Sequence, residues 1–89
     1  MPRPHRIALL AYTDCQLLDV TGPAAVFGAA NEGREKPFYE LEIVSPDGGA
    51  VTTNSGVALM TRTIGGRPDT LLVAGGSRIG SDVLYALVV

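Results

Sequence analysis

The fold of this chain is decided first by the stretch Arg6-Ile-Ala-Leu-Leu-Ala-Tyr12, in which one charged residue precedes an unbroken apolar run. Strands of a parallel sheet are covered on both faces and therefore carry continuous apolar runs. The stretch predicts a central strand of such a sheet. A second run, Asp69-Thr-Leu-Leu-Val-Ala74, ends at Gly75-Gly76 and predicts another buried strand. The alternating pattern of residues 38–45 predicts a third strand, nearer an edge of the sheet.

The segment after the first strand predicts a loop over residues 13–22 and a helix that begins at Pro23. Proline suits the first position of a helix because its missing amide hydrogen would have no partner there. Asn31 and Gly33 are expected to end the helix in a left-handed conformation. The helix is apolar on nearly every side, so we expect it to be buried against the sheet, with a close contact at Gly28.

The middle of the chain predicts a turn at residues 46–49, followed by two short β-prone runs at residues 51–53 and 57–63. These runs are expected to form a small antiparallel excursion. A last helix is expected to begin near Ser81, whose hydroxyl can cap it. The order of elements is typical of a doubly wound, flavodoxin-like α/β domain with a parallel sheet. Residues 1–89 are expected to form its N-terminal part only.

The composition is that of a globular protein, with 46% apolar and 18% charged residues and a net charge of −2. The basic residues are scattered along the chain, so we expect it to bind no nucleic acid. No apolar run approaches the length of a membrane span, and no secretory signal precedes the first strand, so a cytoplasmic location is expected. The single cysteine, Cys15, offers neither a disulfide nor a zinc site, and no metal or cofactor is predicted.

Two features could bind a ligand at the carboxyl ends of the predicted strands, where ligands collect in open α/β sheets. Asp19 precedes the predicted helix. Its carboxylate could contact a ligand at this edge, or it could act as a local cap. The Gly75-Gly76 turn could hold an anion with its backbone amides or could be an ordinary turn. Cys15 is not expected to be a nucleophile, because the only histidine, His5, is a terminal residue expected to be solvated.

Five segments together resemble the ThiJ/PfpI superfamily of class I glutamine-amidotransferase-like domains, over about residues 6 to 80. Within the superfamily, the pattern Leu18-Asp-Val-Thr-Gly-Pro23 with Val26-Phe27 resembles the branch that holds isocyanide hydratases and the sensory domains of GlxA-type AraC-family regulators. The five segments are Arg6 to Tyr12, Gln16 to Phe27, Ile43 to Gly49, Thr53 to Leu59 and Asp69 to Gly76.

The resemblance implies roles for particular residues. In the enzymes of the branch, the carboxylate that matches Asp19 faces a cysteine thiolate, and the turn that matches Gly75 and Gly76 helps to form the oxyanion site. That cysteine lies on an elbow further along the domain, and Cys15 does not match it. We therefore expect no catalysis by this chain, in which Asp19 would be catalytic only if the parent protein is an enzyme. The expected ligand-binding residues are Asp19, Gly22, Gly75 and Gly76.

Three hypotheses for function follow. The first is that the chain is the N-terminal half of a small-molecule-sensing domain of a GlxA-like AraC-family regulator, in a homo-oligomer. The second is that it is part of a ThiJ/PfpI hydrolase or isocyanide hydratase-like enzyme whose cysteine is supplied from beyond Val89. The third is a truncated domain with no activity. An elbow cysteine encoded after codon 89 would favour the second, and helix-turn-helix pairs would favour the first.

Overall fold

The computed structural model describes residues 3–76 of the 89-residue chain. The helix predicted near Ser81 lies outside the described residues. Within them one helix and five strands follow one another in the order expected of an α/β domain. The elements are β1 (His5–Leu10), α1 (Leu18–Asn31), β2 (Tyr39–Ser45), β3 (Gly49–Thr52), β4 (Ala58–Thr63) and β5 (Thr70–Val73).

The five strands form one mixed sheet in the order β3-β4-β2-β1-β5. The strand β1 lies parallel to both β2 and β5, and β2 lies parallel to β4. Only the pairing of β3 with β4 is antiparallel among these residues, with Val51 opposite Leu59. The prediction of an α/β fold with a parallel sheet and a small antiparallel excursion is therefore confirmed.

Two strands take positions in the sheet that differ from the prediction. The strand β2 lies in the middle, between β1 and β4, and not nearer an edge. The alternation of polar and apolar residues in β2 indicates that its two faces are covered unequally, with Glu40 exposed and Leu41 half-buried. It does not indicate which strands lie beside β2. The strand β5 pairs only with β1 within the described sheet and is half-buried, with Val73 40% exposed. Its apolar run predicted deeper burial than the described residues provide.

The helix α1 begins at Leu18, five residues before the predicted start at Pro23. Pro23 lies inside the helix, where it has no amide hydrogen to donate to the carbonyl of Asp19, one turn earlier. A helix tolerates the loss of one backbone hydrogen bond near its start. Pro23 therefore indicates the first two turns of the helix and not its first residue. Asp19 consequently lies in the first turn of α1 and not in a loop.

The predicted burial of α1 is also wrong. Val20 is its buried residue, whereas Leu18 is 68% and Val26 is 67% exposed. A Cβ atom added to Gly28 would meet nothing within 4 Å, so no close contact explains that glycine. Much of the apolar character of this helix comes from alanine, whose small side chain loses little by being exposed. Phe27 is the side chain of α1 that packs onto Tyr39, with ring centroids 4.8 Å apart.

The end of α1 is held to the start of β2 by one side chain. The amide group of Asn31 donates to the carbonyl of Tyr39 at 2.9 Å, and its oxygen accepts from the backbone of Phe38 and Tyr39 at 3.0 and 3.1 Å. Gly33 adopts the predicted left-handed conformation with φ 75°, but Asn31 does not and acts through its side chain. The crossover from helix to strand is therefore fixed by side-chain hydrogen bonds.

The core centres on β1, whose last four residues are buried. A central strand with neighbours on both sides is the place where apolar side chains lose most contact with water. Among residues 3–76 no helix is long and apolar enough to cross a membrane. The buried apolar residues are Ile7, Ala8, Leu9, Leu10, Ala11, Tyr12, Cys15, Val20, Val44, Val51 and Ala74.

Candidate functional site

The candidate site lies where β1 and β5 end. Because these strands are parallel neighbours, their carboxyl ends reach the same edge of the sheet. The segment that follows β1, residues 12–19, therefore meets the Gly75-Gly76 turn that follows β5. We call the backbone of residues 74–76 the glycine turn.

The Asp19 carboxylate binds the glycine turn directly. Its Oδ2 atom accepts a hydrogen bond from the backbone amide of Gly75 at 2.8 Å. A Cβ atom on residue 75 would lie 2.7 Å from the same oxygen, a distance that real Cβ contacts essentially never show. Glycine is therefore needed at position 75 for the carboxylate to approach the amide so closely.

Tyr12 holds the glycine turn from its other side. Its hydroxyl donates a buried hydrogen bond to the carbonyl of Ala74 at 2.8 Å. A Cβ atom on Gly76 would lie 2.9 Å from this hydroxyl oxygen and 3.2 Å from the Cα of Cys15. Burial raises the pKa of Tyr12, and the neighbouring Cys15 and Asp19 raise it further. The phenol therefore stays protonated and remains a donor.

Backbone hydrogen bonds complete the hold on the glycine turn. The amide of Ala74 donates to the carbonyl of Leu10 at 3.1 Å, and the amide of Gln16 donates to the carbonyl of Gly75 at 2.8 Å. Both backbone groups of Ala74 and both of Gly75 thus have partners in residues 10–19. The Ala74 and Gly75 part of the turn is therefore paired and does not present a bare Gly75 amide to an incoming anion.

The segment between Tyr12 and Asp19 is braced by the turn that joins β3 to β4. Asp14 has a φ of 65°, and its amide donates to the carbonyl of Thr52 at 2.9 Å. The amide of Asn54 donates to the carbonyl of Cys15 at 2.9 Å, and its side-chain oxygen accepts from the amide of Leu17 at 3.4 Å. The excursion therefore supports the position of the start of α1.

The structure brings together three of the four residues predicted to bind a ligand. Asp19 and Gly75 are hydrogen-bonded, and Gly76 is next in the chain. Gly22 lies inside α1, and the atom nearest to a Cβ placed there belongs to Leu18 of the same helix, at 3.9 Å. The alternative that Asp19 is a local cap does not fit the structure. The cap position is Leu17, which makes no side-chain cap hydrogen bond, and the carboxylate of Asp19 accepts from the amide of Gly75 instead.

Within residues 3–76, the arrangement joins a carboxylate to a backbone amide and brings no thiol to a histidine. Cys15 is completely buried. His5 lies at the amino end of β1, at the opposite edge of the sheet from Asp19. A thiol and a base therefore do not meet in this part of the chain. No group of three or more histidine, cysteine, aspartate or glutamate side chains is placed to hold a metal ion among these residues.

A small pocket of about 190 Å³ includes Tyr12 in its lining but no residue of the glycine turn. Tyr12 and Thr13 form one wall, and Ser45 with the turn at residues 46–48 forms another. The volume falls below the roughly 300 Å³ at which drug-sized ligand pockets begin, so only a ligand of few atoms would fit. Tyr12 joins this pocket to the glycine turn.

Sequence reasoning missed a larger pocket of about 480 Å³ at the amino ends of β1 and β5. His5 is exposed, as predicted, but it also has partners in β1's neighbours: its Nε2 atom lies 2.8 Å from the hydroxyl of Thr70 and its ring packs edge-on against Tyr39. The adjacent aromatic residues at positions 38 and 39 were the signal that could have found it. The pocket is lined by His5, Ile7, Phe27, Phe38, Tyr39 and Thr70.

No protein-family model matches the sequence. Solved structures with a similar fold include an AraC family transcriptional regulator from Pseudomonas putida. It has a TM-score of 0.75 at 23% identity, over 88% of this chain and 51% of that one. The second is oxidised DJ-1 from Toxoplasma gondii, with a TM-score of 0.69 at 14% identity, over 92% and 47% of the two chains. The described residues have the fold of the DJ-1/ThiJ/PfpI superfamily.

Another similar structure is a DJ-1 superfamily protein from Agrobacterium tumefaciens, with a TM-score of 0.56 at 22% identity, over 92% of this chain and 45% of that one. In sequence, the chain is 40% identical over 84 residues to an uncharacterized protein in the cpoL 5' region of Streptomyces lividans, which covers 90% of this chain and 58% of that protein. The chain thus spans about half the length of the proteins it matches.

Proposed function

We propose that the chain is the N-terminal half of a small-molecule-sensing domain in a GlxA-type transcriptional regulator of the AraC family. The observation that carries the proposal is the similarity to the AraC family regulator, whose fold matches 88% of this chain at a TM-score of 0.75. In this proposal the protein is cytoplasmic and forms homo-oligomers, and DNA is bound by a part of the protein other than residues 1–89.

The geometry at the carboxyl edge of the sheet supports a role in binding. The glycine turn is held rigidly by Tyr12 and Asp19, and a pocket of about 190 Å³ opens beside Tyr12. Rigid polar groups around a small pocket favour recognition of one small ligand, because little ordering is left to occur on binding. The ligand is expected to contact the glycine turn and Tyr12.

A second candidate function is a cysteine-dependent hydrolase or isocyanide hydratase-like enzyme. One observation favours it: the Asp19 carboxylate lies against the glycine turn, where the resemblance to the enzymes of the branch places the groups around a thiolate. In that case the cysteine is encoded beyond codon 89. The gene sequence past this codon separates the two candidates, since one requires an elbow cysteine and the other requires helix-turn-helix segments.

The binding proposal is tested by titrating the ¹⁵N-labelled 89-residue chain with a panel of small organic acids, amides and nitriles. At least one compound is expected to shift the amide resonances of Gly75 and Gly76. Tyr12→Phe should weaken its binding at least tenfold, because the variant loses the donor that holds the turn. Tyr39→Phe, the same change in the pocket at the amino edge, is the matched control and should bind normally.

Two results would contradict the proposal. The first is a panel in which no compound moves the resonances of the glycine turn. The second is binding whose shifts cluster around Tyr39 and are insensitive to Tyr12→Phe. Incubation of residues 1–89 with an aryl isocyanide should give no N-aryl formamide under either candidate. The same assay on the protein translated past codon 89 tests the enzyme candidate.

A further inference from the structure

A cavity that the proposed function does not use lies at the amino edge of the sheet, beside α1. We call it the amino-edge pocket, and its volume of about 480 Å³ lies within the roughly 300–1,000 Å³ typical of sites for small organic ligands. The helix α1 packs mainly on β2 and β1, and the pocket opens beside it over the first residue of β5. Its lining residues are His5, Ile7, Phe27, Phe38, Tyr39 and Thr70.

Aromatic rings line most of the amino-edge pocket, and they pack around Tyr39. The centroid of this ring lies 4.8 Å from that of Phe27, 6.2 Å from that of His5 and 6.3 Å from that of Phe38. All three contacts are edge-to-face. A further aromatic ring is attracted by the same edge-to-face and offset contacts, so these side chains favour a flat aromatic ligand.

One polar pair stands among the rings. The Nε2 atom of His5 lies 2.8 Å from the hydroxyl of Thr70, across the paired strands β1 and β5. An apolar cavity with a few polar groups is typical of ligand sites, because the polar groups fix the orientation of what binds. The lining contains no carboxylate, so none of its side chains repels an anion.

A positive charge is held at the wall of the pocket by Arg34. The Cζ atom of its guanidinium lies 3.6 Å from the centroid of the Phe38 ring, in a cation–π contact. At the same edge of the sheet, Arg3 and Arg6 are paired with carboxylates, whereas no carboxylate of residues 3–76 pairs with Arg34. A guanidinium that stacks on a ring can still donate from the N–H groups in its own plane, and these match a carboxylate.

We infer that the amino-edge pocket is a second binding site and takes a flat aromatic carboxylate, with its ring among the aromatic side chains and its charge paired with Arg34. Shape and charge act together, since the same Phe38 ring lines the pocket and carries the guanidinium. The site lies at the opposite edge of the sheet from the glycine turn. The inference therefore does not rest on the proposed function.

The test compares trans-cinnamate with two ligands that each lack one of its features. Cinnamamide keeps the flat ring without the charge, and cyclohexanepropionate keeps the charge without an aromatic ring. Cinnamate should move the ¹⁵N amide resonances of Ile7, Tyr39 and Thr70 along a saturable curve, both in the 89-residue chain and in the protein translated past codon 89. The two other ligands should bind about two- to tenfold more weakly, the effect of losing one ion pair or one aromatic contact.

Arg34→Gln separates the charge from the cavity. It should weaken cinnamate about two- to fivefold, the loss of one exposed ion pair, and leave cinnamamide unchanged, because cinnamamide has no charge to pair. Lys36→Gln is the matched control, since it removes a positive charge from an exposed position two residues away. The control should bind cinnamate as the wild-type chain does.

Three results would overturn the inference. The first is the absence of a saturable shift at Ile7, Tyr39 and Thr70. The second is equal weakening by Arg34→Gln and Lys36→Gln, which would show a general effect of net charge. The third is loss of cinnamate binding in the protein translated past codon 89, because the continuation of the chain would then cover the pocket. The compound panel reports on the glycine turn with ligands of few atoms, so the two proposals can fail separately.

Discussion

The hydroxyl oxygen of Tyr12 lies 2.9 Å from the point at which a Cβ atom on Gly76 would stand. The same hydroxyl donates to the carbonyl of Ala74, so it cannot retreat without giving up a buried hydrogen bond. The absence of a side chain at position 76 is therefore what allows the phenol to hold the glycine turn. Tyr12 and Gly76 form one structural unit, although they come from opposite ends of the described chain.

Gly76→Ala should destabilise the fold by about 1–3 kcal/mol, the usual cost of forcing an extra methyl group into a packed site. Besides Tyr12, the new methyl would meet the Cα of Cys15 at 3.2 Å and the carbonyl oxygen of Asp14 at 3.3 Å. Both are backbone atoms and cannot rotate aside. Chemical denaturation measures the loss as a lower midpoint with an unchanged slope.

Gly28→Ala is the matched control for that substitution. A Cβ at this position meets nothing within 4 Å, and the residue lies inside α1. Alanine is favoured over glycine in a helix interior by about 0.5–1 kcal/mol, so the control should be more stable than wild type. The packing argument for Gly76 is wrong if both variants move the midpoint in the same direction.

Tyr12→Phe should cost about 1–3 kcal/mol, because it leaves the buried carbonyl of Ala74 without its donor. The ring and its packing are kept, so the change isolates the hydroxyl. Tyr39→Phe removes a hydroxyl from a half-buried ring and should alter stability by no more than about 0.5 kcal/mol. Equal losses in the two variants would show that the bond to Ala74 contributes nothing specific.

Tyr12 also predicts how stability responds to alkaline pH. Burial raises the pKa of Tyr12 above its usual value of 10.0, so the folded chain keeps a proton that the unfolded chain gives up. The associated stability is fully present below pH 10 and is lost as the pH rises above it. Melting temperatures between pH 8 and 11 should fall less steeply in Tyr12→Phe than in wild type, and parallel curves would contradict this.

Asp69 predicts the response to acid. Its carboxylate receives two hydrogen bonds from Arg3, at 2.8 and 2.9 Å, and a third from the amide of Arg6 at 2.8 Å. These bonds, with the Arg3 pair first, hold the pKa of Asp69 well below its usual value of 3.8. A lowered pKa in the folded state supplies stability above pH 3.8 that is lost as the pH falls below it.

Asp69→Asn should therefore flatten the decline in melting temperature between pH 5 and pH 2. Because the pair lies at the surface, the effect should be small and should shrink further in high salt. Asp47→Asn, the same change at an exposed turn residue, should leave the acid decline as steep as in wild type. An unchanged curve for Asp69→Asn would exclude this ion pair as a source of the decline.

Thr61→Val should destabilise the outer part of the sheet by about 1–3 kcal/mol. The Thr61 hydroxyl donates to the carbonyl of Gly49 at 2.7 Å and accepts from the buried hydroxyl of Ser45 at 2.6 Å. Valine has the same shape but removes the donor to the Gly49 carbonyl and the acceptor of the Ser45 hydroxyl, whose oxygen keeps only the bond from the amide of Gly48. Thr52→Val, at an exposed position of β3, is the control and should be neutral or slightly stabilising. Equal urea midpoints for Thr61→Val and Thr52→Val would rule out a stabilising role for the hydrogen bonds of the Thr61 hydroxyl.

Several parts of the fold could be predicted because their causes are local. The unbroken apolar run of residues 7–12 requires burial on both faces whatever surrounds it, and the structure buries all six. The turn predicted at residues 46–49 follows from glycine's tolerance of positive φ, and Gly48 and Gly49 have φ values of 72° and 74°. These features yielded the α/β class, the parallel strands and the antiparallel excursion.

Other parts could not be predicted, because the sequence pattern reports local preference and not the identity of distant partners. Pro23 is acceptable both at the start of a helix and inside its second turn. In the structure the helix starts at Leu18, beside a long-range contact from Asn54 to the amide of Leu17 that the sequence pattern does not reveal. The alternation in β2 records unequal faces and is the same in a central or an edge strand. Alanine-rich α1 appeared buried although small side chains tolerate exposure.

The sequence by itself determined that a carboxylate and a pair of glycines follow strands in an α/β fold, since residue type and strand burial are enough to show it. The tertiary structure alone decided that the Asp19 carboxylate occupies the Gly75 amide, 56 residues away, and that Tyr12 fills the space beside Gly76. Such pairings depend on the register of β1 against β5. That register is set by the packing of the whole sheet, which no local segment encodes.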